Sequence, residues 1–149
     1  MGVKILIKGA GDLATGIGWR LFRAGYRVWM TDLAVPTAVR RSVSFSRAVY
    51  EGEAEVEGIR ARLADSLKDG QKISSEGCIP VFVDPEAVIL EDFKPDVLVD
   101  AIMAKKNLGT KITDAPFVIG VGPGFTAGID CHRVIETKRG HYLGRVIDS

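Results

Sequence analysis

Cysteine is nearly absent from this sequence: of 149 residues only Cys78 and Cys131 carry a thiol. Two are too few for a disulfide framework and point to a reducing compartment. Charge of one sign is lacking as well. Lys and Arg number 20 against 19 Asp and Glu, a formal net charge of +1, so no overall field draws the chain to nucleic acid or an anionic membrane. No apolar run approaches the roughly 20 residues of a membrane-spanning helix, and no basic segment leads into a signal-type apolar stretch. The expected location is the cytoplasm, with neither nucleic acid nor membrane as partner. Histidine is scarce, at two residues, and no compact spacing of His, Cys and carboxylates suits a metal, so none is expected. Internal repeats and domain linkers are missing too. What remains is ordinary globular composition, 46% hydrophobic and 26% charged, long enough to bury a core as a single domain over residues 1–149.

Glycine, by contrast, is abundant at 17 residues, mostly in turns after apolar runs. The first such turn, Gly9-Ala10-Gly11-Asp12-Leu13-Ala14, fits G-x-G-x-x-G/A with Ala in the last place. It follows the apolar run from Val3 to Lys8 and opens a helical stretch, Leu13 to Ala24. Asp32 ends a second apolar run, 21 positions beyond Gly11. A dinucleotide-binding strand–turn–helix–strand needs that order. The first Gly permits the tight turn, and the second lets backbone N–H groups approach a pyrophosphate at the positive end of a helix. The third position must be small for helix–strand packing, and the acid receives a ribose hydroxyl. Gly9, Gly11, Asp12, Ala14 and Asp32 are therefore candidate ligand contacts, with NAD or NADP as candidate cofactors. The bland reading is a packing turn that binds nothing. Asp32 favours a ribose 2′-OH over a 2′-phosphate, and Arg40 and Arg41 are the nearest cations able to reverse that.

Along the chain, elements alternate. Strands are expected at 3–8, 27–31, 79–83, 96–103 and 117–121, with a strand pair turning at Gly58 between 51 and 65. Helices are expected at 13–24, from Pro36 to Tyr50, and at 86–93; residues 66–77 read as polar turns. The alternation predicts an α/β fold, a Rossmann-like, mostly parallel, doubly wound sheet with helices on both faces. Ligands in such a sheet bind beyond the carboxyl ends of the strands. Asp100, Lys105, Asn107, Gly122 and Gly124 lie at two of those ends, where backbone N–H groups and a lysine pair could receive phosphate. A solvated lysine pair and a tight glycine turn are the plainer readings.

The stretch from Asp130 to His141 is dense in reactive side chains. As a strand it would place Asp130, His132, Val134 and Glu136 on one face. His132, Cys131, Glu136 and Asp130 are the candidate catalytic groups: His132 or Glu136 as acid–base, Cys131 as a thiolate if His132 or Arg133 lowers its pKa. A satisfied core histidine and a small apolar cysteine are the structural alternatives. Together with the rim residues, Asp130 and His132 are expected in one crevice.

Four strings carry a family resemblance: Ile7 to Gly16, Val99 to Thr110, Gly122 to His132, and Ile135 to Arg145. They resemble YqeB-type accessory proteins of selenium-dependent molybdenum hydroxylases, which are related to the xanthine dehydrogenase accessory proteins. The resemblance covers nearly the whole chain in order. It implies a Rossmann-like domain, the N-terminal part of a longer architecture. It also implies a role in hydroxylase maturation, with a nucleotide or molybdopterin-type ligand and a molybdenum hydroxylase as partner. It assigns no catalytic residue and does not decide whether a reaction occurs. Two other readings stand beside it. One is an NAD(P)-dependent oxidoreductase of a small metabolite, against which no Tyr-x-x-x-Lys pair is present. The other is a non-enzymatic nucleotide-sensing docking module.

Overall fold

A computed structural model describes residues 2–32, 44–104, 106–137 and 146–148. Its elements run β1 (Lys4–Lys8), α1 (Asp12–Arg23), β2 (Arg27–Asp32), α2 (Arg47–Glu51), β3 (Glu53–Val56), β4 (Ile59–Ala64) and α3 (Leu67–Ser75). Then follow β5 (Ile79–Val83), α4 (Leu90–Phe93), β6 (Val97–Asp100), β7 (Phe117–Val121), β8 (Arg133–Ile135) and β9 (Val146–Asp148). The strands make one sheet in the order β3-β4-β5-β2-β1-β6-β7-β8-β9. The edge strands β3 and β9 pair antiparallel, and every pairing between them is parallel. The core order β5-β2-β1-β6-β7-β8, numbered by its own strands, is 3-2-1-4-5-6, the arrangement of doubly wound dinucleotide-binding sheets. Strand order reverses between β1 and β6, which opens a crevice beyond their carboxyl ends.

Helices cover both faces. Ile5 and Ile7 point to one side, with Ala14 of α1 and Ala48 of α2. Leu6 points to the other, with Ile73 of α3 and Phe93 of α4, because side chains alternate along a strand. On that second face Trp29 is fully buried between Phe82 and Phe93, its ring centroid 5.2 and 4.1 Å from theirs. None of the described helices is long and apolar enough to cross a membrane.

Four local expectations change. The stretch expected as polar turns holds α3, begun by Ser66, whose hydroxyl accepts the Asp69 N–H at 3.1 Å. The strand expected to reach Met103 stops at Asp100, because the Asp100 carboxylate accepts the Ile102 N–H at 3.2 Å and turns the chain. The helix expected over 86–93 shrinks to α4. Asp84 takes the N–H groups of Val88 and Ile89, at 2.9 Å each, and Ala87 sits at φ +53°. Finally, the Asp130–His141 stretch contributes only the three residues of β8, and positions 138–141 lie outside the described residues. Most of the helix expected from Pro36 also lies outside them; its described end is α2.

Candidate functional site

Beyond the carboxyl ends of β1, β2 and β6 lies a crevice of about 400 Å³, floored by the Gly9–Ala14 turn. Thr31, Asp32, Ser46, Asp84 and Pro85 line one side, and Ala101, Ile102, Met103 and Leu108 the other. The turn is tightly held. Gly9 donates to the Thr31 carbonyl at 2.7 Å, and its φ is +104°. A β-carbon there would lie 2.9 Å from the Ala101 carbonyl oxygen, so only glycine lets β1 leave the sheet beside β6. Three donors converge on the Ala10 carbonyl: Thr15 Oγ1 at 3.1 Å, Ser44 Oγ at 2.6 Å and the Ser46 N–H at 2.8 Å. Gly11 is the N-cap of α1 and makes no side-chain cap bond, and no side chain among the described residues is seen to take the first-turn N–H groups, the donors an anion would use. A β-carbon at Gly11 would meet nothing within 4 Å, and Ala14, 1% exposed, packs into the core as the third small residue should. Asp32 ends β2 at the crevice wall, where Ser46 Oγ donates to its Oδ2 at 2.6 Å. Ser44, Ser46 and Thr15 escaped sequence reasoning because their role depends on a segment that returns from a distance.

The second rim is built differently from expectation. The loop 122–125 does pack against the loop 103–107: a β-carbon on Gly124 would lie 2.6 Å from Lys106 Cα and 2.8 Å from the Asn107 nitrogen. At Gly122 it would come within 3.1 Å of Met103 Sδ. These glycines thus serve loop-on-loop contact, and the Gly122 N–H is donated to the Ile135 carbonyl. Asn107 Oδ1 accepts the N–H groups of Gly109 and Thr110, and its Nδ2 donates to the Thr110 carbonyl. Asp100 is 2% exposed, with Thr110 Oγ1 on one oxygen and the Ile102 N–H on the other. Asp100, Asn107, Gly122 and Gly124 therefore shape the loop behind the crevice and are not among its lining residues. Lys105 lies outside the described residues. Met103, whose φ is +66° and whose side chain is exposed, does line the crevice, with Leu13 and Leu108 exposed around it.

The chain is 52% identical over 145 residues, 97% of its length, to a protein of Escherichia coli (strain K12) named "Uncharacterized protein YqeB". The likeness marks a YqeB-type sequence. The matched residues make up 27% of that relative, so the chain spans about a quarter of its length. No family model and no solved structure matches the chain.

The YqeB-like strings do not all meet at the crevice. His132 donates its N–H to the Val118 carbonyl at 2.8 Å, and its Nδ1 accepts the Val118 N–H at 2.9 Å. Its ring stacks on Phe117. Residues 117 and 118 begin β7, which runs parallel to β6, whereas the crevice lies at the carboxyl pole of these strands, roughly 10–13 Å further along. Asp130 sits on the turn leading there, accepting the Thr126 N–H at 3.1 Å. Asp130 and His132 are thus at the opposite pole, not on the rim. The turn at 126–131 carries the chain back before β8 starts. Cys131 is fully buried within the second core cluster. Burial is the main cause that pushes its thiol pKa up, and the nearby carboxylates of Asp130 and Asp100 add to it. That setting opposes a thiolate at neutral pH, contrary to the lowered pKa a nucleophile needs. Glu136 follows β8 at the crevice pole, half-buried, beside Thr137.

Proposed function

We propose that this chain is a nucleotide-binding accessory module that serves the maturation of selenium-dependent molybdenum hydroxylases. Its ligand bears a diphosphate and at least one ribose. One observation carries the binding half: the uncapped N-terminus of α1 and the Gly9–Ala14 turn floor a crevice at the switch point of a 3-2-1-4-5-6 sheet, with Asp32 on its wall. The maturation half follows from the sequence resemblance of the four strings. An NAD-dependent redox step is the second reading, favoured by the strand order. The described lining offers no His, Tyr, Lys or Cys for proton transfer, so binding is the part the residues support.

Calorimetric titration with NAD, NADP and ADP tests the reading. NAD and ADP are expected to bind. NADP is expected to be weaker by about tenfold, because its 2′-phosphate would face the Asp32 carboxylate. No heat with any of the three, or NADP tighter than NAD, would contradict it. In cells lacking the native protein, Gly11→Val is expected to abolish hydroxylase maturation at unchanged abundance of the variant.

A further inference from the structure

Three large apolar side chains, Leu13, Met103 and Leu108, stand exposed around one crevice, at 41%, 41% and 57% exposure. Single exposed apolar residues need no explanation, but a group of them on the wall of a cleft marks what the cleft binds. The crevice is two-sided. The wall beside β2 is polar, built from Thr31, Asp32 and Ser46, and the wall beyond β6 is apolar, built from Ile102, Met103 and Leu108. β1 runs between β2 and β6, so the Gly9–Ala14 turn lies between the two walls. With neighbouring strands about 4.8 Å apart, the walls stand on the order of 10 Å from each other.

Met103 makes its wall in an unusual conformation. Its φ is +66°, in the left-handed region that a long side chain seldom enters. Among the described residues Glu57 shares that conformation at the β3–β4 turn and Lys94 at the end of α4, where reversal of the chain calls for it. Met103 ends neither a helix nor a hairpin. Its thioether is nonetheless seated: a β-carbon on Gly122 would lie 3.1 Å from Met103 Sδ and 3.2 Å from its Cε, so the bare glycine backbone supports it. The side chain keeps its other surface open to the crevice. Non-glycine residues held at positive φ concentrate where ligands are clamped, and a thioether suits contact with an aromatic ring.

A nucleoside diphosphate would leave this wall bare. With its ribose at Asp32 and its diphosphate over the turn, it ends midway across the crevice. A group attached to the far phosphate would reach Met103. We propose that Met103 is a specificity-determining residue: with Ile102 and Leu108 it seats a flat aromatic ring on the far arm of a diphosphate diester. The proposal rests on the crevice being the diphosphate site, and it makes the ligand two-armed, with a sugar on the polar wall and a ring on the apolar one.

The test compares ADP-ribose, which has the diphosphate and both sugars but no second ring, with NAD, FAD and diadenosine diphosphate. These three carry flat far-arm rings of different size, and each ligand is titrated into wild type, Met103→Leu and Met103→Gln. At least one ring-bearing ligand is expected to bind wild type about tenfold tighter than ADP-ribose, and the ranking names the ring. Met103→Gln keeps the length of the side chain but makes it polar, and should remove most of that gain. Met103→Leu should keep it, and ADP-ribose affinity should stay within about twofold in all three proteins. No ring-bearing ligand tighter than ADP-ribose in wild type would overturn the proposal. So would an equal loss for ADP-ribose in Met103→Gln, which is the result of a structural role or of the first adenine using this wall. If Met103→Gln fails to fold, Leu108→Ser decides in its place: loss of the ring's gain supports the proposal and an unchanged gain refutes it. Wild type that does not bind ADP-ribose at all refutes the crevice reading itself, a distinguishable failure.

Discussion

Two glycines two positions apart do different jobs, and substitution separates them. Gly9 is required by backbone, since its φ of +104° and the Ala101 carbonyl leave no room for a side chain. Gly9→Ala is expected to lower stability by roughly 1–3 kcal/mol in denaturant unfolding. Gly11 is not required by the backbone: its φ is ordinary and a β-carbon there meets open space, the space the proposed ligand would fill. Gly11→Val should keep the melting temperature and lose the ligand. Spacing alone made both positions legible. It could not show that Asp100 and Asn107 spend their polar atoms inside the loop, because their partner Thr110 bears no motif. Cys131 yields a further prediction at this scale. The folded protein holds its thiol proton more tightly than the unfolded chain, so its contribution to stability is present below the ordinary thiol pKa, about 8.5, and is lost above it. Denaturant midpoints should drop as pH rises past that value, and the drop should vanish in Cys131→Ala. A thiol reagent at pH 8 should modify half-buried Cys78 well before Cys131.

At the scale of elements, α3 shows what polarity conceals. Residues 66–77 contain few apolar side chains, and Gly70 looks like a turn residue. Gly70 is instead the point where the helix meets the aromatic stack: a β-carbon there would lie 2.5 Å from Phe82 Cζ and 2.9 Å from Trp29 Cη2. The legible signal was Ser66 three residues before Asp69, a capping spacing ahead of the helix. Gly70→Ala sets helix propensity, which favours Ala by about 1 kcal/mol, against overpacking of the rings, which costs about 1–3 kcal/mol. Packing should win, and thermal melts of the variant should show a net loss. A gain would mean the rings yield. The C-terminal strand erred in the opposite direction. Cys131 and His132 follow a glycine loop in sequence, yet the turn at 126–131 uses Thr126, Gly128 and Asp130 to reverse the chain, which removes them from the crevice.

For the whole molecule, the alternation of buried strands with helices made the doubly wound sheet legible, as did the β3–β4 hairpin at Gly58, where Glu57 and Gly58 both have positive φ. Strand order was not legible. It is fixed by contacts such as Lys4 through Lys8 against Arg27–Thr31 on one side and Ile5 through Lys8 against Val97–Asp100 on the other, which no local pattern encodes. That order creates the crevice and places it far from His132. An amide-resolved NMR titration with ADP is the most direct test. Binding at the turn predicts that the largest shifts fall on Gly11, Asp12 and Leu13, with lesser ones at Asp32 and Ile102, and none at Val118 or His132. Shifts centred on the Val118–His132 pole, or spectra unchanged by ADP, would contradict it.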